Sequence, residues 1–308
     1  DQFFYEMSST WIEDIIVPDG NDYLYWIDDF FNNPQQSWDE TDGYSLALFG
    51  HYLSTQFEDV SSQKNSTIIR QIWENISTIN TPYSILNQIL EDNHGSSFAF
   101  AWLDFVSRNL FNDVYSDMNN DIFYYIDQSD ELCTSPEISA MFLDSDDIVN
   151  KVISIDNSSV SIEKFKSKES ASSQLNILQD GDGYLSNIAY LFDTQNYYSL
   201  VENINSDFIT PLVQENDLFY LVYIASEVSG SVALNADVIV SPDNNKVFSF
   251  YPNPMFLGNA SYLMIDISEI LYPQILMYDI LGSEILNVTL DSLDKGRYEV
   301  ALSTIFSN

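Results

Sequence analysis

The spacing of apolar residues changes from helical to strand-like near residue 130, which dictates a chain of helices followed by a chain of strands. From Gln2 to Ile15, Phe4, Met7, Trp11 and Ile15 fall on one helical face, while Glu6, Thr10 and Glu13 fall on roughly the opposite one. Further helices are predicted over 21–31, 43–57, 67–76, 82–90 and 97–110. Tyr44, Leu48, His51 and Tyr52 make one apolar stripe, and Phe98, Ala101, Trp102, Phe105 and Val106 another. Pro82 suits a first helical turn, where its missing N–H costs nothing. Residues 1–130 therefore read as an all-helical unit with a substantial core.

Residues 135–240 have a different character. Short β-branched or aromatic runs over 149–155, 160–165, 174–178, 188–192, 197–201, 218–225 and 232–240 are separated by Asp, Asn, Ser and Gly clusters. A β-sandwich is the expected architecture for this stretch. Lys164, Lys166 and Lys168 lie at period two, as on an exposed strand face that discourages edge pairing. Tyr197-Tyr198 and Phe219-Tyr220 read equally as core or as an aromatic surface for carbohydrate or a partner. Ser241-Pro242-Asp243-Asn244-Asn245 is the best linker in the chain.

Charge excludes whole classes of partner. Against 47 acidic residues stand 10 basic ones, a formal charge of −37, so the chain repels phosphate backbones and anionic membrane surfaces. Nucleic acid is not an expected partner. The imbalance is 22 to 3 over residues 1–130, 17 to 4 over 131–240 and 8 to 3 over 241–308, a spread that suits a solvated surface in salty surroundings. Cys133 is the single cysteine, so no intrachain disulfide forms. No membrane span is expected, since no run approaches about 20 apolar residues. The opening Asp1-Gln2-Phe3-Phe4 lies inside an amphipathic pattern without a leader, as expected of a fragment or processed product.

The last part of the chain combines strand periodicity with a motif set. Tyr262, Met264 and Ile267 mark one run, Ile275, Met277 and Tyr278 a second, Ile285 and Val288 a third, and Tyr298, Val300 and Leu302 a fourth. Pro252 and Pro254 remove ladder donors and turn the chain before these strands, and Gly282 sits where a hairpin needs positive φ. A small Ig-like β-sandwich over 246–308 is the economical expectation. The motifs are Tyr251-Pro252-Asn253-Pro254, then Tyr278 and Asp279 with Gly282, then Gly296 with Tyr298. This set resembles the C-terminal sorting domain of Bacteroidetes-type proteins exported by the type IX secretion system. The resemblance implies the type IX machinery as partner and a secreted or cell-surface location reached across the outer membrane. Ser283 stands where such domains usually carry Lys or Arg, and the closing basic strand is missing, so the domain is expected to be cut short.

A second resemblance lies at the front. Phe4-Tyr5-Glu6-Met7-Ser8-Ser9-Thr10-Trp11-Ile12-Glu13-Asp14, then Asn21-Asp22-Tyr23, Tyr25, Phe30-Phe31, Pro34, Tyr44 and Ile72-Trp73-Glu74 resemble the C-terminal half of a family of secreted zinc metalloproteases. In that family such a helix follows a His-Glu-x-x-His helix. A catalytic zinc of the gluzincin type takes two His from that helix and a third ligand, usually Glu, from a later one. The resemblance implies that Glu6 is this third ligand and that Glu13 and Asp14 orient a ligand. Read from the residues alone, Glu13 and Asp14 are solvated charges at a helix end.

The two histidines cannot supply the missing ligands. His51 is followed at i+4 by Thr55 and His94 by Phe98, so neither belongs to a His-Glu-x-x-His helix. His51 reads as a core histidine and His94, before Gly95, as a helix-end residue. No catalytic residue is assigned, and zinc, with any protein or peptide substrate, belongs to a longer protein. Asp19-Gly20-Asn21-Asp22, Asp144-Ser145-Asp146-Asp147 and Asp180-Gly181-Asp182-Gly183 are oxygen-rich turns of the kind that hold calcium, though Asx turns explain them more simply. The chain thus reads as the C-terminal part of an exported metalloprotease-like protein, or alternatively as a non-enzymatic surface binding or structural module.

Overall fold

The structure is a computed structural model. It describes residues 2–58, 65–77, 79–110, 136–144, 147–155, 159–168, 173–192, 197–201, 208–210, 213, 217–226, 231–242, 248–251, 262–267, 274–278, 284–289 and 296–301. For the five strands from 248 onward the backbone alone is described. Helices come first and sheets after them, as the change of period predicts.

Six helices precede the sheets: α1 (Gln2–Ile16), α2 (Ile27–Asn32), α3 (Ala47–Gln56), α4 (Ile68–Asn75), α5 (Pro82–His94) and α6 (Phe98–Asn109). The predicted segment over 21–31 divides into a 3-10 turn, Asp22–Tyr25, and the short α2. Helix α5 runs a turn beyond its predicted end at Leu90. Thr81 caps its start by accepting a hydrogen bond from the Ser84 amide at 3.2 Å, and Gly95 follows its last residue, His94. In α1 the predicted stripe of Phe4, Met7, Trp11 and Ile15 is buried. Each such side chain contributes about 1.5–3 kcal/mol relative to exposure.

Fourteen strands follow among the described residues. A five-stranded sheet contains β1 (Ala140–Leu143), β3 (Val160–Ser167), β5 (Tyr184–Phe192), β6 (Tyr197–Val201) and β8 (Leu218–Ala225) in the order β1-β3-β8-β5-β6. Only the β1–β3 pair is parallel in it, with Ala140 opposite Lys164. A four-stranded antiparallel sheet holds β2 (Ile148–Ile155), β4 (Ser173–Asp180), β7 (Phe208–Ile209) and β9 (Val232–Pro242) in the order β2-β9-β4-β7. The C-terminal strands are β10 (Phe248–Tyr251), β11 (Tyr262–Ile267), β12 (Gln274–Tyr278), β13 (Glu284–Thr289) and β14 (Gly296–Ala301). They pair antiparallel as β10-β11-β14 and β12-β13.

Strand β8 explains how the layers meet. All eight of its residues are buried, so both of its faces are covered. Leu218, Tyr220, Val222 and Ile224 join the core of the helices, together with Val160, Ile162 and Ala189. Phe219, Leu221, Tyr223 and Ala225 point the other way and join Ile153, Ile155, Leu175, Ile177, Leu234 and Val238 of the four-stranded sheet. The five-stranded sheet is thus the middle layer. Polar contacts tie helices to it: Asn187 Nδ2 donates to Ser107 Oγ at 3.1 Å, and the Ile162 amide donates to Gln35 Oε1 at 2.9 Å.

This packing decides one open reading and corrects one expectation. Phe219 and Tyr220 are buried on opposite faces of β8, the core reading of that pair, while the side chains of Tyr197 and Tyr198 lie outside the described ones. The lysine-bearing strand β3 lies between β1 and β8 rather than at an edge. Lys164 is half-buried, with its ammonium 5.4 Å from the centre of the Tyr220 ring. Burial first, and the neighbouring charge of Lys166 second, lower its pKa. The expected linker runs partly in strand, since Ser241 and Pro242 close β9 opposite Gln174 and Ser173, and residues 243–245 lie outside the described ones.

Candidate functional site

The polar face of α1 is where the sequence-predicted residues gather. Glycine brings two other segments against this helix. Gly43, at φ +92°, passes so close that a Cβ there would lie 2.2 Å from the Phe3 carbonyl oxygen. Its neighbour Tyr44 reaches Glu6 in consequence. The Tyr44 phenol is held above its ordinary pKa, first by a side-chain hydrogen bond with Glu6, then by partial burial and the charges of Glu6 and Asp42. Trp26 stacks on Tyr44, ring centres 4.9 Å apart. Glu6 is half-exposed, at the edge of an aromatic patch.

Gly50 brings α3 onto α1. A Cβ at Gly50 would meet the Trp11 indole at 2.8 Å, so only a hydrogen fits between these helices. The next residue, His51, is fully buried, and its Nε2 lies 3.2 Å from Oδ2 of Asp14, itself 4 % exposed. The expectation of a solvated helix-end charge therefore fails for Asp14. Seven residues after Met7, Asp14 lies almost directly along the helix from it, at the margin of the buried stripe. Glu13 faces solvent as expected.

A cavity of about 70 Å³ opens at this end of α1. The helix contributes Thr10, Glu13, Asp14 and Val17, and the turn after it contributes Gly20, Asn21, Asp22 and Tyr23. The turn is set by Asn21 in the left-handed region, φ 51°, which asparagine tolerates better than most residues. Behind the cavity the Tyr23 ring lies 5.2 Å from the His51 imidazole. Sequence reasoning named Asp14 and His51 separately and missed that they form a pair. The available signal was a carboxylate and an imidazole each set on an apolar helical stripe, where neither is stable without a partner.

Zinc does not find a complete donor set here. Among the described residues no group of three or more His, Cys, Asp or Glu side chains converges as metal ligands do. Glu6 offers one carboxylate, and His51 is occupied with Asp14 in the core. Of the oxygen-rich turns, the one at Asp144 closes on itself: the Asp144 amide donates to Asp147 Oδ2 at 2.8 Å, and Lys168 Nζ lies 2.9 Å from Asp144 Oδ2. Gly181 and Gly183 form the exposed turn from β4 to β5.

The sorting-motif residues fall partly on described backbone. Tyr251 closes β10, Tyr278 closes β12, Gly296 opens β14 and Tyr298 lies within it. Pro252, Asn253, Pro254, Asp279 and Gly282 lie outside the described residues, as does Cys133. No described helix is long and apolar enough to cross a membrane.

No family model matches this sequence, and no curated protein matches it. Among solved structures the chain is similar to PliG of Salmonella Typhimurium, a periplasmic inhibitor of g-type lysozyme, at 6% identity over 33% of this chain and 98% of that one, with a TM-score of 0.24. PliG of Aeromonas hydrophila gives 9% identity over 33% and 96%, with a TM-score of 0.25. Tripeptidyl peptidase 2 gives 10% identity over 57% and 23%, with a TM-score of 0.24. Likenesses at this level assign neither a fold nor a function to the chain.

Proposed function

We propose that this chain is the C-terminal part of an exported, cell-surface or extracellular zinc-metalloprotease-like protein that carries a type IX sorting signal. In this reading residues 1–130 are the helical subdomain beside a catalytic cleft, 135–240 an accessory β-sandwich, and 246–308 an Ig-like sorting domain. Zinc and the general base come from a His-Glu-x-x-His helix elsewhere in the protein. Glu6 is the one ligand that this chain contributes, and the chain alone cleaves no peptide.

The observation that carries the export half is the agreement between motif and strand. Tyr251, Tyr278 and Gly296 mark the ends or starts of antiparallel strands β10, β12 and β14. In sequence the prolines follow Tyr251 and the glycine follows Tyr278, residue types suited to turns rather than to a ladder. The protease half is supported by Glu6, which lies on the helix face opposite the buried stripe, half-exposed and hydrogen-bonded to Tyr44.

The alternative, a non-enzymatic surface module, is favoured by the exposed aromatic rings on the helical layer. Tyr25 is 84% exposed beside Trp26, and Tyr5 stacks on the half-exposed Trp73 at 4.8 Å. Such rings suit a binding surface as well as a cleft wall.

The export claim is tested in the native organism with an epitope inserted at the exposed turn around Ile79. Antibody should reach the epitope on intact cells, and in a strain lacking the type IX outer-membrane translocon the protein should accumulate in the periplasm. A cytoplasmic protein, or one exported equally well without that translocon, would contradict the reading.

A further inference from the structure

We propose that the exposed flank of α1 docks a cationic amphipathic helix of another protein. The argument begins with a second apolar row on this helix. Phe4, Met7, Trp11 and Ile15 bury one row, yet Tyr5, Ile12 and Ile16, at i, i+7 and i+11, make another about a third of a turn away. These three side chains are 42%, 40% and 66% exposed. Trp73 of α4, 46% exposed, widens the row: its ring stacks on Tyr5 at 4.8 Å, and its Nε1 donates to Ser8 Oγ at 3.1 Å, one turn before Ile12. Together they line about 16 Å of the helix. Isoleucine is a middling helix former, so helix stability does not call for it at positions 12 and 16. Exposed apolar residues standing singly are ordinary, whereas an aligned row of four marks a contact surface.

The charge beside the row identifies what covers it. Glu6, half-exposed, and Glu13, exposed, run alongside it two turns apart, and the exposed Asp19 follows its end. Residues 1–57 contain eleven Asp and Glu and not one Lys or Arg. Among the described residues before the sheets, the Lys and Arg side chains are Arg70, paired with Glu74 at 3.6 Å, and Arg108, buried against Asp104. The rim of the row is therefore negative without compensation from the chain itself. Its complement is a helix with apolar residues at heptad spacing and Lys or Arg along the flank that faces Glu6 and Glu13. A second copy of this chain is not that occupant, since it brings the same carboxylates and a formal charge of −37. An anionic membrane surface is repelled for the same reason. The inference rests on the row and its rim, and stands or falls separately from the export and protease readings.

The experiment titrates the whole chain with a Leu/Lys peptide of about four helical turns, patterned so that leucine fills one face. Binding is read by NMR at the Ile12 and Ile16 amides and the Trp73 indole N–H. Saturable shifts at these three groups are expected, with an affinity that falls as salt rises. Ile12→Ser and Ile16→Ser, both at exposed positions, should each weaken binding by about three- to tenfold, the effect of losing one apolar anchor. Glu13→Gln should weaken it by about two- to threefold, as expected for one solvent-screened charge pair. Parent-like affinity in both serine variants would overturn the proposal, because the peptide would then be held by charge elsewhere on the chain. Equal binding of a Leu/Lys peptide of the same composition without an apolar face, or of a Leu/Glu peptide with the same pattern, would overturn it too. So would shifts at the same three groups from neutral phosphatidylcholine vesicles but not from the peptide, which would make the row a lipid-facing surface.

Discussion

Replacing Gly50 by alanine sets two physical effects against each other, and the structure decides which wins. In an exposed helix the change stabilises by about 1 kcal/mol, since glycine is the poorest ordinary helix former. Here the new methyl carbon would lie 2.8 Å from Cδ1 and Cγ of Trp11 and 3.1 Å from its Cβ. The indole cannot step aside cheaply, because Trp11 is 95 % buried and held between the first and third helices. Overpacking of this kind costs about 1–3 kcal/mol, and contact with the root of a rigid ring places this site in the upper half of that range. The net expectation is a loss of about 1–2 kcal/mol. At about 2–4 °C per kcal/mol for chains of this size, the thermal midpoint falls by about 2–8 °C. Circular dichroism melts of the Gly50→Ala protein read this directly. Shrinking the facing ring in the double variant with Trp11→Leu should recover part of the loss relative to Trp11→Leu alone, a coupling that contact predicts. A Gly50→Ala midpoint above that of the parent would refute the close approach of α3 to α1, and with it the positioning of His51 beside Asp14.

Three other outcomes follow from single sites. Asp104 accepts from Tyr52 Oη at 2.7 Å and from Arg108 Nε at 2.8 Å inside the core, so Asp104→Ala should cost about 3 kcal/mol or more in urea unfolding. Thr81→Ala removes the cap of α5 and should cost about 1 kcal/mol in the same assay. Burial first, then the charges of Tyr184 and Glu163, raise the pKa of the Tyr223 phenol. The folded protein therefore holds this proton more tightly than the unfolded chain, and stability is lost as pH rises above about 10, the unfolded value. Tyr223→Phe removes a buried hydroxyl that has no hydrogen-bond partner among the described residues, so it should be neutral or stabilising by about 1 kcal/mol at pH 7. Urea midpoints at pH 7 and 11 should show the variant losing less on the alkaline side.

Periodicity located elements that have one face in a core. The stripe of α1 and the runs behind β2, β3, β4, β5 and β9 were legible on that ground. Strands β1 and β7, of four and two residues, are too short and too uniformly apolar to show a period. The contact between helices and sheet went unread, although Leu218–Ala225 announces it: eight successive residues that favour burial describe a strand covered on both faces. The triple lysine misled because β1 supplies a partner along the half of β3 that carries Lys164 and Lys166. At the candidate site, Glu6 and Glu13 could be placed from helical geometry, being half a turn from the buried stripe. The Asp14–His51 pair could not, since it depends on Gly50 letting two helices 37 residues apart approach to within a hydrogen's width.

The most direct test of the metalloprotease-like reading is the coding DNA upstream of the Asp1 codon. The account predicts a His-Glu-x-x-His helix in the same reading frame, a short distance before α1, so that Glu6 completes its zinc site. A leader sequence joined directly to Asp1 would contradict it, and the chain would then be an exported surface module without catalytic history in use.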